Sequence, residues 1–338
     1  MSVGYIHTQE SHDWLLSYTL PLNDRDGTLS FAYTQSQYDP INPPIEQPET
    51  SKNNSQVEWV SHSYELTLRQ PIIRSIQGES AEEPNRQPTV AQFALGVTAF
   101  LQENPAISLE SPFSPSPPAN NSEPTRTLAL RFFQEWKRQN ARELIELRSQ
   151  FSLGLNTFSS TLNNPAAEVN QVPATTFFSW QGQAQWSRHL ASDTLLLVRG
   201  NIQLTDRSLV PSEQFAIGGV QSVRGYLQDS LFSDNGIFAS AELQLPVLRV
   251  FGGKGVIQII PFVDFGTVWN SSSQPNPSPN TLASVGLGLQ WQQGNFTARL
   301  DWGIPLVSLN ASDSEALMLP ADRTSQDNSL YFSVQYHP

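Results

Sequence analysis

The feature that most constrains this chain is an alternation of apolar and polar residues with a period of two, repeated along its length. Phe178, Trp180, Gly182, Ala184 and Trp186 share one side of a segment whose other side is Ser179, Gln181, Gln183 and Gln185. The pattern returns with Leu196, Val198, Gly200, Ile202 and Leu204 against Leu197, Arg199, Asn201, Gln203 and Thr205. It returns again with Ile237, Ala239, Ala241, Leu243 and Leu245, and with Phe296, Ala298, Leu300 and Trp302. Successive side chains of a strand point to opposite faces, so each segment reads as a strand with one apolar and one polar face.

Fourteen such strands are expected, at 3–9, 12–21, 28–37, 57–70, 89–101, 126–138, 141–155, 176–189, 193–206, 236–247, 256–269, 281–292, 295–306 and 329–337. Their length of about 10–14 residues is near what a tilted strand needs to cross a bilayer. Trp136, Trp186, Trp269, Trp291, Trp302 and Tyr336 sit near strand ends, where aromatic girdles lie. Long Pro/Ser/Asn-rich connections (38–56, 102–125, 156–175, 207–235, 270–280 and 307–328) alternate with short turns, apart from the first connection and 71–88. A soluble sandwich would also alternate in hydropathy, but it has no reason to alternate its loop lengths. The expected fold is therefore all-β, a transmembrane antiparallel up-and-down β-barrel in a bacterial outer membrane. Lipid leaves no solvent to satisfy an open edge, so the last segment, with Leu330, Phe332, Val334 and Tyr336 alternating, is expected to close it.

Composition removes several other functions. The chain has no Cys and a net charge of −12, which excludes cysteine-held metals and argues against nucleic acid as a partner. Its five His (His7, His12, His62, His189 and His337) follow no metal-ligand spacing, and no cofactor motif or nucleophile elbow occurs, so neither a metal, a cofactor nor an enzyme is expected. His62 and Ser63 fall on opposite faces of a strand and cannot form an outward-facing pair. No run of about 18 apolar residues is present to form a membrane helix. The start has neither the charge nor the apolar stretch of a signal peptide.

The connection at 207–235 is apolar for an outside loop, carrying Phe215, Ile217, Val220, Val223 and Tyr226 around a single basic Arg224. These residues are expected to fold back inside and pack against the wall. Val223-Arg224-Gly225-Tyr226, followed by a strand and then Phe262-Val263-Asp264-Phe265-Gly266, resembles the Omp85 superfamily. That resemblance implies an ion pair between Arg224 and Asp264, with Glu242 as a further inward-facing partner. Other segments are similar to the two-partner-secretion transporters of the ShlB/FhaC/HecB haemolysin secretion/activation family. These are Glu65-Leu66-Thr67-Leu68-Arg69-Gln70-Pro71, Gln134-Glu135-Trp136, Leu147 to Gly154, Phe177 to Trp186 and Glu213-Gln214-Phe215.

The resemblance implies a translocator that passes a large, unfolded β-helical exoprotein of haemolysin or adhesin type through its barrel. Its partners would be that exoprotein, outer-membrane lipid and, during biogenesis, the barrel-insertion machinery. Such transporters have sixteen strands with this loop after the eleventh, whereas here it follows the ninth. Residues 1–338 are therefore expected to be the barrel domain alone, without its first two strands, the POTRA domains or a signal peptide, a genuine fourteen-strand barrel being the alternative. Arg131, Glu135, Glu146, Arg148 and Arg199 are expected to face inward, either satisfying one another across strands or lining a wet conduit. The alternatives are an assembly factor that inserts other barrels, and a passive diffusion porin, for which the loop has no purpose.

Overall fold

The computed structural model describes residues 2–7, 11–38, 59–77, 88–104, 125–155, 176–271, 275–309 and 329–336. Its strands are β1 (Ser2–His7), β2 (Ser11–Pro21), β3 (Thr28–Tyr38), β4 (Trp59–Gln77), β5 (Thr89–Asn104), β6 (Thr125–Gln139), β7 (Glu143–Leu155), β8 (Phe178–Ala191) and β9 (Thr194–Thr205). They continue with β10 (Phe215–Ile217), β11 (Leu231–Ser233), β12 (Asn235–Val250), β13 (Gly255–Trp269), β14 (Thr281–Gln293), β15 (Phe296–Pro305) and β16 (Ser329–Tyr336). Fourteen of them form one sheet in sequence order, and β10 and β11 form a separate small hairpin between β9 and β12. Every pairing is antiparallel, so the architecture is an up-and-down meander.

The two faces of the sheet are inverted relative to a water-soluble protein. On β13, Asp264 is 0% exposed while its neighbours Val263 and Phe265 are 49% and 44% exposed. Leu66, Leu68, Leu153, Phe178, Leu287 and Trp302 likewise present apolar surface outward. Gln150, Ser152, Gln203, Ser240, Glu242 and Asp301 are buried on the other face. Apolar surface of this extent is unfavourable in water and favourable against hydrocarbon, so lipid is the solvent that this outer face fits. Trp186 Nε1 donates to Glu143 and Trp180 Nε1 to Ser149 Oγ, which satisfies the polar edges of rings otherwise set in apolar surroundings.

Short turns link β2 to β3, β6 to β7, β8 to β9, β12 to β13 and β14 to β15. Between β2 and β3, Asn23 Oδ1 accepts from the backbone N–H of Arg25 and Gly27, and Asn140 Oδ1 does the same for Arg142 and Glu143 between β6 and β7. These side chains mimic a turn's backbone and fix the register. Most of the expected long connections lie outside the described residues.

Two expectations are altered. β4 continues to Gln77 rather than stopping at 70, and a register shift between Pro71 and Ile73 accommodates the proline within the strand. No pairing joins β1 to β16 among the described residues, so the closing contact expected of the last strand is not seen there.

Candidate functional site

The connection between β9 and β12 lies on the inner face. The β10–β11 hairpin, with Phe215 opposite Ser233 and Ile217 opposite Leu231, gives it a rigid base. Ile217, Val223, Tyr226 and Leu231 pack with Phe238, Val268 and Leu282 of the wall, with Phe215 and Leu309 at the margin. Val220 departs from the expectation that it would pack inward: it is 39% exposed and is not a member of that cluster.

Arg224 is the polar centre of the site and is only 1% exposed. Its Nε and one terminal nitrogen donate to the two oxygens of Asp264 at 2.7 and 2.8 Å, a fork-to-fork pairing, and its backbone N–H reaches the same carboxylate at 3.1 Å. The other terminal nitrogen donates to Glu242 at 3.0 Å and lies 3.6 Å from Asp301. Ser240 Oγ donates to Asp264 at 2.6 Å, and the guanidinium lies over the Phe262 ring, 3.5 Å from its centroid. Burial alone would favour loss of the Arg224 proton. Asp264 and Glu242 outweigh it and hold the charge more firmly than usual.

Arg299 of β15 completes the network, bridging Asp301 at 2.7 and 2.9 Å and Glu242 at 3.0 and 3.3 Å. Together with Arg199 on β9, opposite Ser240 in register, the cluster contains three arginines and three carboxylates. Its members can therefore all stay ionised in a buried place, provided each charge has its partner.

Glycines set how closely the loop approaches. Gly225 has φ +97°, a left-handed conformation, and a Cβ there would lie 3.0 Å from the Gly303 carbonyl carbon. A Cβ on Gly303 would lie 2.4 Å from the Gly225 nitrogen, so β15 and the loop meet backbone to backbone. Gly266 leaves room for Ile217 and Val223 in the same way. Tyr226 places its hydroxyl between the carbonyls of Ala283 (2.9 Å) and Val307 (3.0 Å). The Tyr331 hydroxyl of β16 donates to the Tyr226 carbonyl and accepts from Gly225 N–H at 3.1 Å.

A second anchor holds the loop's other end. Glu213, 7% exposed, is paired with Arg131 of β6 at 2.8 Å, and Arg131 lies over Phe100. Burial pushes the Glu213 carboxyl up despite the arginine beside it. Leu209 packs with Phe100, Ala129 and Phe177 nearby. One loop thus touches the inner faces of β6, β13, β15 and β16, which requires the sheet to curl around it.

Of the inward-facing charges, Glu135 is shared by Arg69 and Arg148, and Glu146 pairs with Lys137. Gln150, Gln181 and Gln203 extend the chain of hydrogen bonds from Arg148 to the Glu213 and Asp234 carbonyls at the loop base. The Nε of Arg199 has no hydrogen-bond partner among the described residues. Sequence reasoning missed Arg299, Asp301, Ser240 and Tyr331. The polar side of 297–303 contained the first two, but nothing local marks them as neighbours of Arg224.

An antiparallel wall that faces lipid outside and charge inside, with a loop seated on its inner face, defines an outer-membrane protein of the β-barrel type. Residues 122–291, half of the chain, match the haemolysin secretion/activation protein family ShlB/FhaC/HecB, and the chain belongs to that family. It is similar to the outer membrane transporter CdiB of Escherichia coli O6:K15:H31 (strain 536 / UPEC), 25% identical over 162 residues, 48% of this chain and 27% of that protein. It is also similar to the outer membrane protein assembly factor BamA of Nitratidesulfovibrio vulgaris (strain Hildenborough), 30% identical over 105 residues, 28% of this chain and 13% of that one. Among solved structures, CdiB from Escherichia coli aligns with a TM-score of 0.61 at 17% identity, covering 96% of this chain and 53% of that one. BamA from Haemophilus ducreyi lacking POTRA domains 1-3 aligns with a TM-score of 0.56 at 15% identity, covering 98% and 63%. These two share the fold. The matches span about a quarter of the length of the curated CdiB transporter and 13% of that of the BamA relative.

Proposed function

We propose that this chain is the wall-and-loop part of an outer-membrane translocator that secretes a large exoprotein of the haemolysin or adhesin type. The observation that carries the reading is the loop clamped to the inner face by Arg224 through Asp264 and Glu242. A passive pore gains nothing from burying a network of charges under a loop, whereas a translocator needs a defined inner surface for an unfolded chain. The residues of 207–235 form a distinct inner element, and Arg224 holds it in its working position. Nucleotide hydrolysis has no part in this mechanism. The barrel-insertion machinery recognises the chain during biogenesis, and the exoprotein is its partner in use.

The test is deletion of the gene in its own organism, followed by mass spectrometry of the extracellular and surface proteins. A large β-helical exoprotein is expected to disappear and to return with the wild-type gene. Arg224→Ala is expected to restore membrane insertion of the transporter but not export. An unchanged extracellular set, or full export by Arg224→Ala, defeats the reading. The similarity to BamA favours a second one, insertion of other barrels, in which the same deletion lowers many outer-membrane proteins together.

A further inference from the structure

Beside the loop, on the inner face of the sheet from β4 to β9 and β12, lies a cavity of about 470 Å3, within the size range of ligand pockets. Its lining holds four cations, Arg69, Lys137, Arg148 and Arg199, against two carboxylates, Glu135 and Glu146. Lys137 uses Glu146, and both Arg69 and Arg148 draw on the single Glu135. The Nε of Arg199 has no hydrogen-bond partner among the described residues, and the carboxylate of Glu242 is already divided between Arg224 and Arg299. In a chain with a net charge of −12, the residues lining this cavity hold four cations against two carboxylates, one of the four, Arg199, lying also at the edge of the Arg224 cluster. Around it stand the amides of Gln92, Gln183, Gln185, Asn201 and, from the loop, Gln221.

We propose that this cavity binds an acidic side chain of an extended polypeptide, with Arg199 taking the carboxylate. Each part of the lining has a counterpart in such a ligand. The Arg199 guanidinium, whose Nε has no hydrogen-bond partner among the described residues, can fork onto a carboxylate with charge-assisted hydrogen bonds. Side-chain amides both donate and accept, which suits the N–H and C=O groups of an extended backbone, whereas a small free anion would leave their oxygens unused. Gln221 makes the loop one wall of the cavity, so a bound segment touches the loop as well as the sheet. The inference rests on the translocation reading and gives the passing chain a chemical preference. It is read by equilibrium binding rather than by export, so either can fail without the other.

The experiment is calorimetric titration of the folded protein in detergent micelles with hexaglutamate. Binding is expected to weaken as salt rises, and hexalysine is expected not to bind. Arg199→Gln should weaken hexaglutamate at least tenfold and Arg199→Lys much less. Arg74→Gln, which removes the same charge from an exposed pair with Asp26, should leave it unchanged. A fluorophore on Gln221→Cys, in a chain with no other cysteine, should respond to hexaglutamate, which reports on the site even if Arg199→Gln fails to fold. Equal affinity in Arg199→Gln and wild type, equal loss in Arg74→Gln, free glutamate binding as tightly as hexaglutamate, or a silent fluorophore would each overturn the proposal.

Discussion

Arg224 illustrates how little a buried arginine can be exchanged. Two nitrogens fork onto Asp264, a third serves Glu242, and the flat face rests on Phe262. Lysine supplies a single point charge with neither the fork nor the stacking plane. Arg224→Lys should therefore unseat the loop nearly as far as alanine does, at a cost on the order of 3–5 kcal/mol for an interrupted buried network. Limited proteolysis within 207–235 measures this, and protection equal to wild type would contradict it. Glu213 makes the opposite kind of prediction. Its carboxyl is raised, first by burial, with Arg131 opposing and Glu65 assisting. The seated loop thus binds the proton more tightly than the released loop does. Its contribution to seating is fully present below the ordinary value of about 4.3 and is lost as pH rises through the raised value. Protease access to the loop should increase over that rise, and Glu213→Gln should flatten the dependence.

Among the elements, β13 shows what alternation can and cannot disclose. Pro261, Val263 and Phe265 point outward and Phe262, Asp264 and Gly266 inward, which its sequence states outright. A charge on the outer side faces hydrocarbon. Val263→Arg, near the middle of the strand, should cost about 2–4 kcal/mol, whereas Gln183→Arg on the inner face of β8 should cost little. Urea unfolding from lipid bilayers measures the difference, and equal stabilities would refute the assignment of faces. The strands were legible because each carries its own two-residue period. The partners of Arg224 were only partly so. Asp264 and Glu242 come from the resemblance and from parity, but Arg299 and Asp301 reach the site through the register of β14 on β15, which no local pattern encodes. The Glu213 anchor on Arg131 spans 82 residues for the same reason. β4 shows a local error instead: expected to end at 70, it runs on to Gln77 past a register shift at Pro71.

For the whole molecule, the loop draws distant parts of the sheet together, from β6 to β16. Of these, the contact with β16 has a consequence in time. Gly225 N–H bonds the Tyr331 hydroxyl 106 residues further along the chain. The tip can take its final place only after the last strand has paired with β15, since distant contacts wait on the closing of the chain between them. Seating of the loop is thus a late event in folding. During refolding into lipid, strand formation seen by circular dichroism should precede protection of 207–235 from protease. Tyr331→Phe should lengthen that interval while leaving the strand signal unchanged, and simultaneous appearance of the two signals would exclude the order. A chain that stops short of its last strand would therefore present a wall without a seated loop, so the loop serves as a completion mark for the sheet around it.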